Sequence, residues 1–178
     1  LVMYVDDIII TCSDKEDIHR LRYSNTYWAG CLVDKRSTNG YCVFLDGNLV
    51  AWKSKKQHVV YKSSVEAKYR AIAYVAGEIM WLRMLLSELG LPTPSTYVLH
   101  CGNQSAIHIA SNPVFHERTK HIEVDYHFIR EKVQSKEIFL QHTRTEDQLA
   151  DLFTRSLRGS RVVFLCDKLG LFDMYAPT

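Results

Sequence analysis

Holding divalent cations and activating water takes several carboxylates at one place, and this sequence offers few candidates that could converge. Asp151 closes the run Glu-Asp-Gln-Leu-Ala-Asp (146–151). The run Tyr-Val-Leu-His-Cys-Gly-Asn-Gln-Ser-Ala (97–106) reads as a strand that breaks at Gly102 and opens a helix. A strand end of that kind is where an α/β enzyme places a metal-binding carboxylate, and here the residue is glycine. Asp6 and Asp7 occupy the turn of a strand–turn–strand pattern over 1–12. His116, His121 and His127 with Asp125 invite a metal reading, since His121 and Asp125 are one helical turn apart. No Cys or further His is placed to complete a tetrahedral site, so packing or surface roles are expected for them. Lys53, Lys55, Lys56, Lys62 and Arg70, with Trp52 beside them, form either a phosphate-tracking patch or a solvated edge.

These residues need a scaffold, and the pattern supplies one. Strands are expected over 21–28, 40–45 and 49–54, the last two joined by the hairpin signal Asp46-Gly47-Asn48. The clearest helix covers 63–89, where Val65, Tyr69, Ile72, Ala76, Ile79, Leu82, Leu86 and Leu89 recur at three- and four-residue steps. Ser63 or Ser64 can cap it, and Gly90 with Pro92 ends it. A strand over 96–101, a short helix over 103–111 and an amphipathic helix over 120–135 follow, the last with Ile122, Tyr126, Ile129 and Val133 on one stripe. Then come a strand over 137–142, a helix opened by Thr145 and running to about Ser156, and a last helix near 160–169. In that penultimate helix Glu146 and Asp147 fall in the first turn, where acids favour the dipole. Hairpin-length links make the first three strands antiparallel, and helical crossovers make the later ones parallel. The expected fold is α/β: a mixed five-stranded sheet with helices on its faces.

The chain has 178 residues, a net charge of +2 and a hydrophobic fraction of 47%, which fits one globular domain rather than a disordered segment. Five scattered cysteines without a Cys-x-x-Cys pair argue against a disulfide framework, a disulfide-linked partner or a zinc ribbon. The apolar run 1–12 is too short to span a bilayer and lacks the features of a signal peptide, so neither a membrane partner nor secretion is expected. A start at Leu1 rather than Met reads as a piece of a longer translation product.

Seven stretches carry a family resemblance. They are Tyr-Trp-Ala-Gly-Cys (27–31), Lys-Arg-Ser-Thr-Asn-Gly-Tyr-Cys-Val-Phe-Leu (35–45), Ser-Lys-Lys-Gln (54–57), Ser-Ser-Val-Glu-Ala-Lys-Tyr-Arg-Ala (63–71), Asn-Gln-Ser-Ala-Ile (103–107), Arg-Thr-Lys-His-Ile-Glu-Val-Asp-Tyr-His-Phe-Ile-Arg-Glu (118–131) and Glu-Asp-Gln-Leu-Ala-Asp (146–151). In this order, over about 21–170, they resemble the ribonuclease H domain of copia-type LTR retrotransposon Pol polyproteins, of the kind abundant in plants. The resemblance implies a ribonuclease H-like fold, an intracellular setting (cytoplasm, virus-like particle or nucleus), and hydrolysis of the RNA strand of RNA–DNA hybrids with two Mg²⁺ or Mn²⁺ ions held by four acids. It also implies that Asn103 and Gln104 contact the hybrid's minor groove, although the pair equally makes an ordinary helix N-terminus.

The four acid positions carry over one at a time. The family's Tyr-Ser-Asp-Ala-Asp-Trp-Ala-Gly has Asn25 at its first acid and Tyr27 at its second. The acid of Ala-Glu-Tyr-Arg-Ala is Lys68. Glu66 lies two residues away, about 200° around a helix, and is a poor stand-in. The acid before Asn-Gln-Ser-Ala is Gly102, and the acid ending Gln-Leu-Ala-Asp survives as Asp151. The expectation is a nuclease fold with its metal chemistry largely removed, in which Lys68 fills the metal's space and pairs with Asp151. What remains is a catalytically dead binding remnant or a relic.

The segment Leu-Val-Met-Tyr-Val-Asp-Asp-Ile-Ile-Ile-Thr (1–11) resembles the reverse-transcriptase palm hairpin of the same polyproteins, whose Asp pair binds catalytic Mg²⁺. Only about fifteen residues separate Asp7 from Tyr23, which points to an internal deletion or a joined gene model. The expected organisation is a hairpin remnant with its connector (1–20), poorly packed or borrowing a surface of the main domain, then a ribonuclease H-like domain (21–170) and a tail (171–178).

Overall fold

A computed structural model describes residues 21–45, 47–112 and 123–171, together with the backbone of 4–5 and 8–9. Tyr4–Val5 (β1) and Ile8–Ile9 (β2) pair antiparallel, Tyr4 opposite Ile9. The turn residues Asp6 and Asp7, the packing expected of 1–20, and Asp46, His116, His121 and Ile122 lie outside the described residues.

Leu21–Tyr27 (β3), Thr38–Leu45 (β4) and Asn48–Lys56 (β5) form an antiparallel meander. Tyr97–Cys101 (β6) and Ile138–His142 (β7) extend it on the other side of β3. The sheet order is β5-β4-β3-β6-β7, with β6 parallel to β3 and β7 parallel to β6, as hairpin links followed by helical crossovers require. In the β3–β6 register Ser24 stands opposite Cys101. The next residues, Asn25 and Gly102, therefore reach the same carboxyl end of the sheet.

Both sheet faces are covered, so β4 is buried without alternation from Gly40 to Leu45. Tyr41, Val43 and Leu45 face the larger core, with Ser64–Glu88 (α1), Gln104–Ser111 (α2) and Glu123–Gln134 (α3). Cys42 and Phe44 face a smaller core closed by Leu169 of the C-terminal segment, with Leu149, Leu152 and Phe153 packed against it. Burial pushes the Cys42 thiol well above its usual range, and a hydrogen bond with the Tyr23 backbone only partly opposes the push.

Helix α1 is capped by Ser63, whose hydroxyl accepts from the Glu66 N–H at 3.1 Å. Its buried stripe holds Tyr69, Ile72, Ala76, Ile79, Leu82 and Leu86, but its ends differ from the expected pattern. Val65 is half-buried and Leu89 is an exposed C-cap, while Ala67 and Ala71 meet the sheet, where only a small side chain fits a helix lying flat on strands.

The expected helix opened by Thr145 is instead two short 3-10 turns, Thr145–Asp147 and Leu149–Phe153. Gln148 between them is extended, at φ −79° and ψ 96°, because its side chain is committed elsewhere. Its Oε1 accepts from the Ala150 N–H at 3.3 Å and its Nε2 donates to the Ser24 carbonyl at 3.2 Å, tying the segment to β3. Gly159–Lys168 (α4) completes the described chain.

Candidate functional site

Parallel strands present a crevice at their carboxyl ends, and here it lies where β3 and β6 stop. A cavity of about 240 Å³ is lined by Asn25, Thr26, Tyr27 and Trp28 from β3 and its exit, and by Ser64 and Lys68 from α1. Gly102 after β6, and Thr145, Gln148, Asp151 and Arg155 from the 3-10 region, complete it. Asn25, Lys68, Gly102 and Asp151, scattered over the sequence, thus meet at one place.

Asp151 is 2% exposed, and both carboxylate oxygens are occupied. Its Oδ1 accepts from Asn25 Nδ2, and its Oδ2 takes the Arg155 guanidinium four residues on. The expected Lys68–Asp151 ion pair is not formed. Arg155 follows Asp151 closely in the chain and reaches its carboxylate first, whereas Lys68 approaches from another element. Lys68 makes no ion pair or hydrogen bond with any described residue. Its charge is near enough to Cys101 to oppose the upward push that burial gives that thiol. Gly102 leaves room: a Cβ there would stand 3.6 Å from Gln148 Nε2 and 3.8 Å from the Thr143 carbonyl, ordinary contact distances. Glu66 points away from the cavity, accepting from the Lys62 N–H at 2.9 Å and facing Arg70 at 3.5 Å. Among the described residues no group of three or more His, Cys, Asp or Glu side chains is placed to hold a metal.

The basic residues lie apart from this cavity. Trp52, Lys53, Lys55 and Lys56 are exposed on the edge strand β5, with Lys53 5.5 Å from the Tyr74 ring centre and Lys56 2.9 Å from Asp34. Lys62 is exposed before α1, and Arg70 is engaged with Glu66. Asn103 is the N-cap of α2, its Oδ1 accepting from the Ala106 N–H at 2.7 Å, and Gln104 is exposed on the first turn. On α3, His127 is exposed beside Glu123, and Asp125 is half-buried, with its acid strength reduced by desolvation. Glu146 and Asp147 are exposed in the first 3-10 turn. Cys31, Cys42, Cys101 and Cys166 are free thiols. No described helix is long and apolar enough to cross a membrane.

Four residues at or behind the site escape a linear reading. Gln148 stands inside the Glu-Asp-Gln-Leu-Ala-Asp run and Thr145 just before it, but the run marks neither as a cavity residue. Arg155 had a signal, since Asp151 and Arg155 are spaced i,i+4 as in an acid–base pair on a helix. The fourth is a buried group behind the strand ends: His100 stacks on Tyr23 with ring centres 4.5 Å apart, and its Nδ1 meets Thr143 Oγ1 at 2.8 Å.

The sheet order, the long helix across it and the site at the strand ends define a ribonuclease H-like fold. LC11-RNase H1, solved in complex with RNA/DNA hybrid, superposes with a TM-score of 0.53 at 13% identity, over 76% of this chain and 93% of that one. The N-terminal RNase H domain of rv2228c from Mycobacterium tuberculosis gives a TM-score of 0.57 at 9% identity, over 85% and 98%. No protein-family model matches the chain. Sequence relatives are much nearer. The Pol polyprotein of transposon RE2 from Arabidopsis thaliana is 48% identical over 142 residues, 80% of this chain. That of RE1 from the same plant is 44% identical over 84% of this chain, and that of TNT 1-94 from Nicotiana tabacum 38% over 83%. The chain is a homologue of copia-type retrotransposon Pol polyproteins, and it spans about a tenth of the length of these relatives.

Proposed function

We propose that residues 21–170 are the ribonuclease H-like domain of a retrotransposon Pol polyprotein in which two-metal hydrolysis of RNA–DNA hybrids is lost. Residues 1–20 are read as a vestige of the reverse-transcriptase palm. The state of Asp151 carries the reading. A pair of divalent ions needs several carboxylates to offset its charge, and this fold family works with such ions. At the four positions taken over from the family, the cavity holds one carboxylate, one amide, one ammonium and no side chain at all. Asp151 is already neutralised by Arg155 and hydrogen-bonded by Asn25. That donor set does not fit a two-cation site.

The test is incubation of the protein with an end-labelled RNA–DNA hybrid in Mg²⁺ and in Mn²⁺. No cleavage above a protein-free control is expected. Turnover that disappears in Asp151→Ala would overturn the reading.

A further inference from the structure

We propose that this cavity binds the phosphate group of a nucleotide directly through Lys68, with no metal bridging the two. The proposal rests on the loss of two-metal chemistry and goes beyond it. Lys68 and Arg155 outnumber Asp151, so the lining carries two positive charges against one negative. Arg155 and Asn25 satisfy Asp151, and Lys68 is left without an anionic partner among the described residues. An ammonium at the wall of a small cavity, with Ser64 and Thr145 also lining it, is set up for the oxygens of a phosphate.

The rim indicates what carries that phosphate. Tyr27 is 46% exposed and Trp28 43% exposed, and both border the cavity. Neither ring is loose. The Trp28 indole N–H donates to the Tyr61 carbonyl at 3.0 Å. The Tyr27 ring lies on the backbone of Gly30, where a Cβ would come within 2.0 Å of Tyr27 Cδ1. Held aromatic faces beside a cation are how single-stranded nucleic acid is bound, bases on the rings and phosphates on the charge. At about 240 Å³ the cavity is below the usual range for an entire ligand, so it admits the phosphate and leaves the base on the rim.

The experiment titrates the full chain with 5′-AMP, adenosine and inorganic phosphate in EDTA at low salt, measuring binding by isothermal titration calorimetry and, wherever Trp28 is kept, following its indole signal by NMR. AMP should bind most strongly, inorganic phosphate more weakly, and adenosine without a saturable shift. Lys68→Glu and Lys68→Gln should each weaken AMP binding by about tenfold or more, as expected when a charge-assisted contact is lost. Lys168→Glu, on α4, should not change it, and circular dichroism checks that each variant is folded. Trp28→Ala should weaken AMP binding and spare phosphate binding. AMP binding that is absent in EDTA, that appears only with Mg²⁺, or that is unchanged in both Lys68 variants would overturn the proposal. Hybrid cleavage is scored separately. A chain that cleaves hybrid yet binds AMP in EDTA refutes only the loss of hydrolysis, and a chain that does neither refutes only the phosphate site.

Discussion

Asp151 holds its place by structural bonds that have nothing to do with a metal. Removing its carboxylate strands the part-buried Asn25 amide and releases Arg155, so Asp151→Ala should cost about 1–3 kcal/mol of stability. Urea denaturation measures this, and an unchanged midpoint would show that the Asn25–Asp151–Arg155 contacts contribute nothing net. His100 gives a second residue-level outcome. Burial holds its imidazole below the usual value of about 6.5, so the folded protein resists the proton that the unfolded chain accepts. The unfolded state therefore binds more protons across that range, and stability is complete above it and falls as pH drops through it. Melting curves at pH 7.5 and 5.5 should show a larger loss for the native protein than for His100→Gln. Equal losses would assign the acid sensitivity to other groups.

At the scale of elements, the site depends on how closely the 3-10 segment approaches β4. A Cβ on Gly40 would stand 2.7 Å from Phe153 Cβ and 2.8 Å from Thr154 Cγ2, and those atoms belong to the segment that carries Asp151. Gly40→Ala should therefore cost about 1–3 kcal/mol and shift the segment, as overpacking does. A thermal melt gives the stability, and a mobile Asn25 side-chain amide signal would report the displaced Asp151. The same segment marks the limit of sequence legibility among the elements. Helix α1 was readable because its burial period and its Ser63 cap are local features. The 145–156 region departs from the single helix expected of its sequence because Gln148 leaves helical geometry to donate to the Ser24 carbonyl on β3, more than a hundred residues earlier in the chain.

For the whole molecule, the scaffold invites a reversal. Lys68 and Asn25 already line the cavity with Asp151, and Gly102 has ordinary contact room for a side chain. The combined variant Asn25→Asp, Lys68→Glu and Gly102→Asp should gain Mg²⁺-dependent hybrid cleavage that none of the single changes confers, because a two-cation site fails on ligand count. A folded triple variant that stays inert would mean the damage extends beyond the acids. The sequence by itself determined the element order, the mixed sheet and the shortage of carboxylates, since periodicity, link length and side-chain type are local properties. Only the tertiary structure decided the electrostatics of the cavity. Whether Asp151 takes Lys68 or Arg155, and whether Asn25 joins them, depends on distances between segments that folding brings together, and a linear pattern carries no record of those distances.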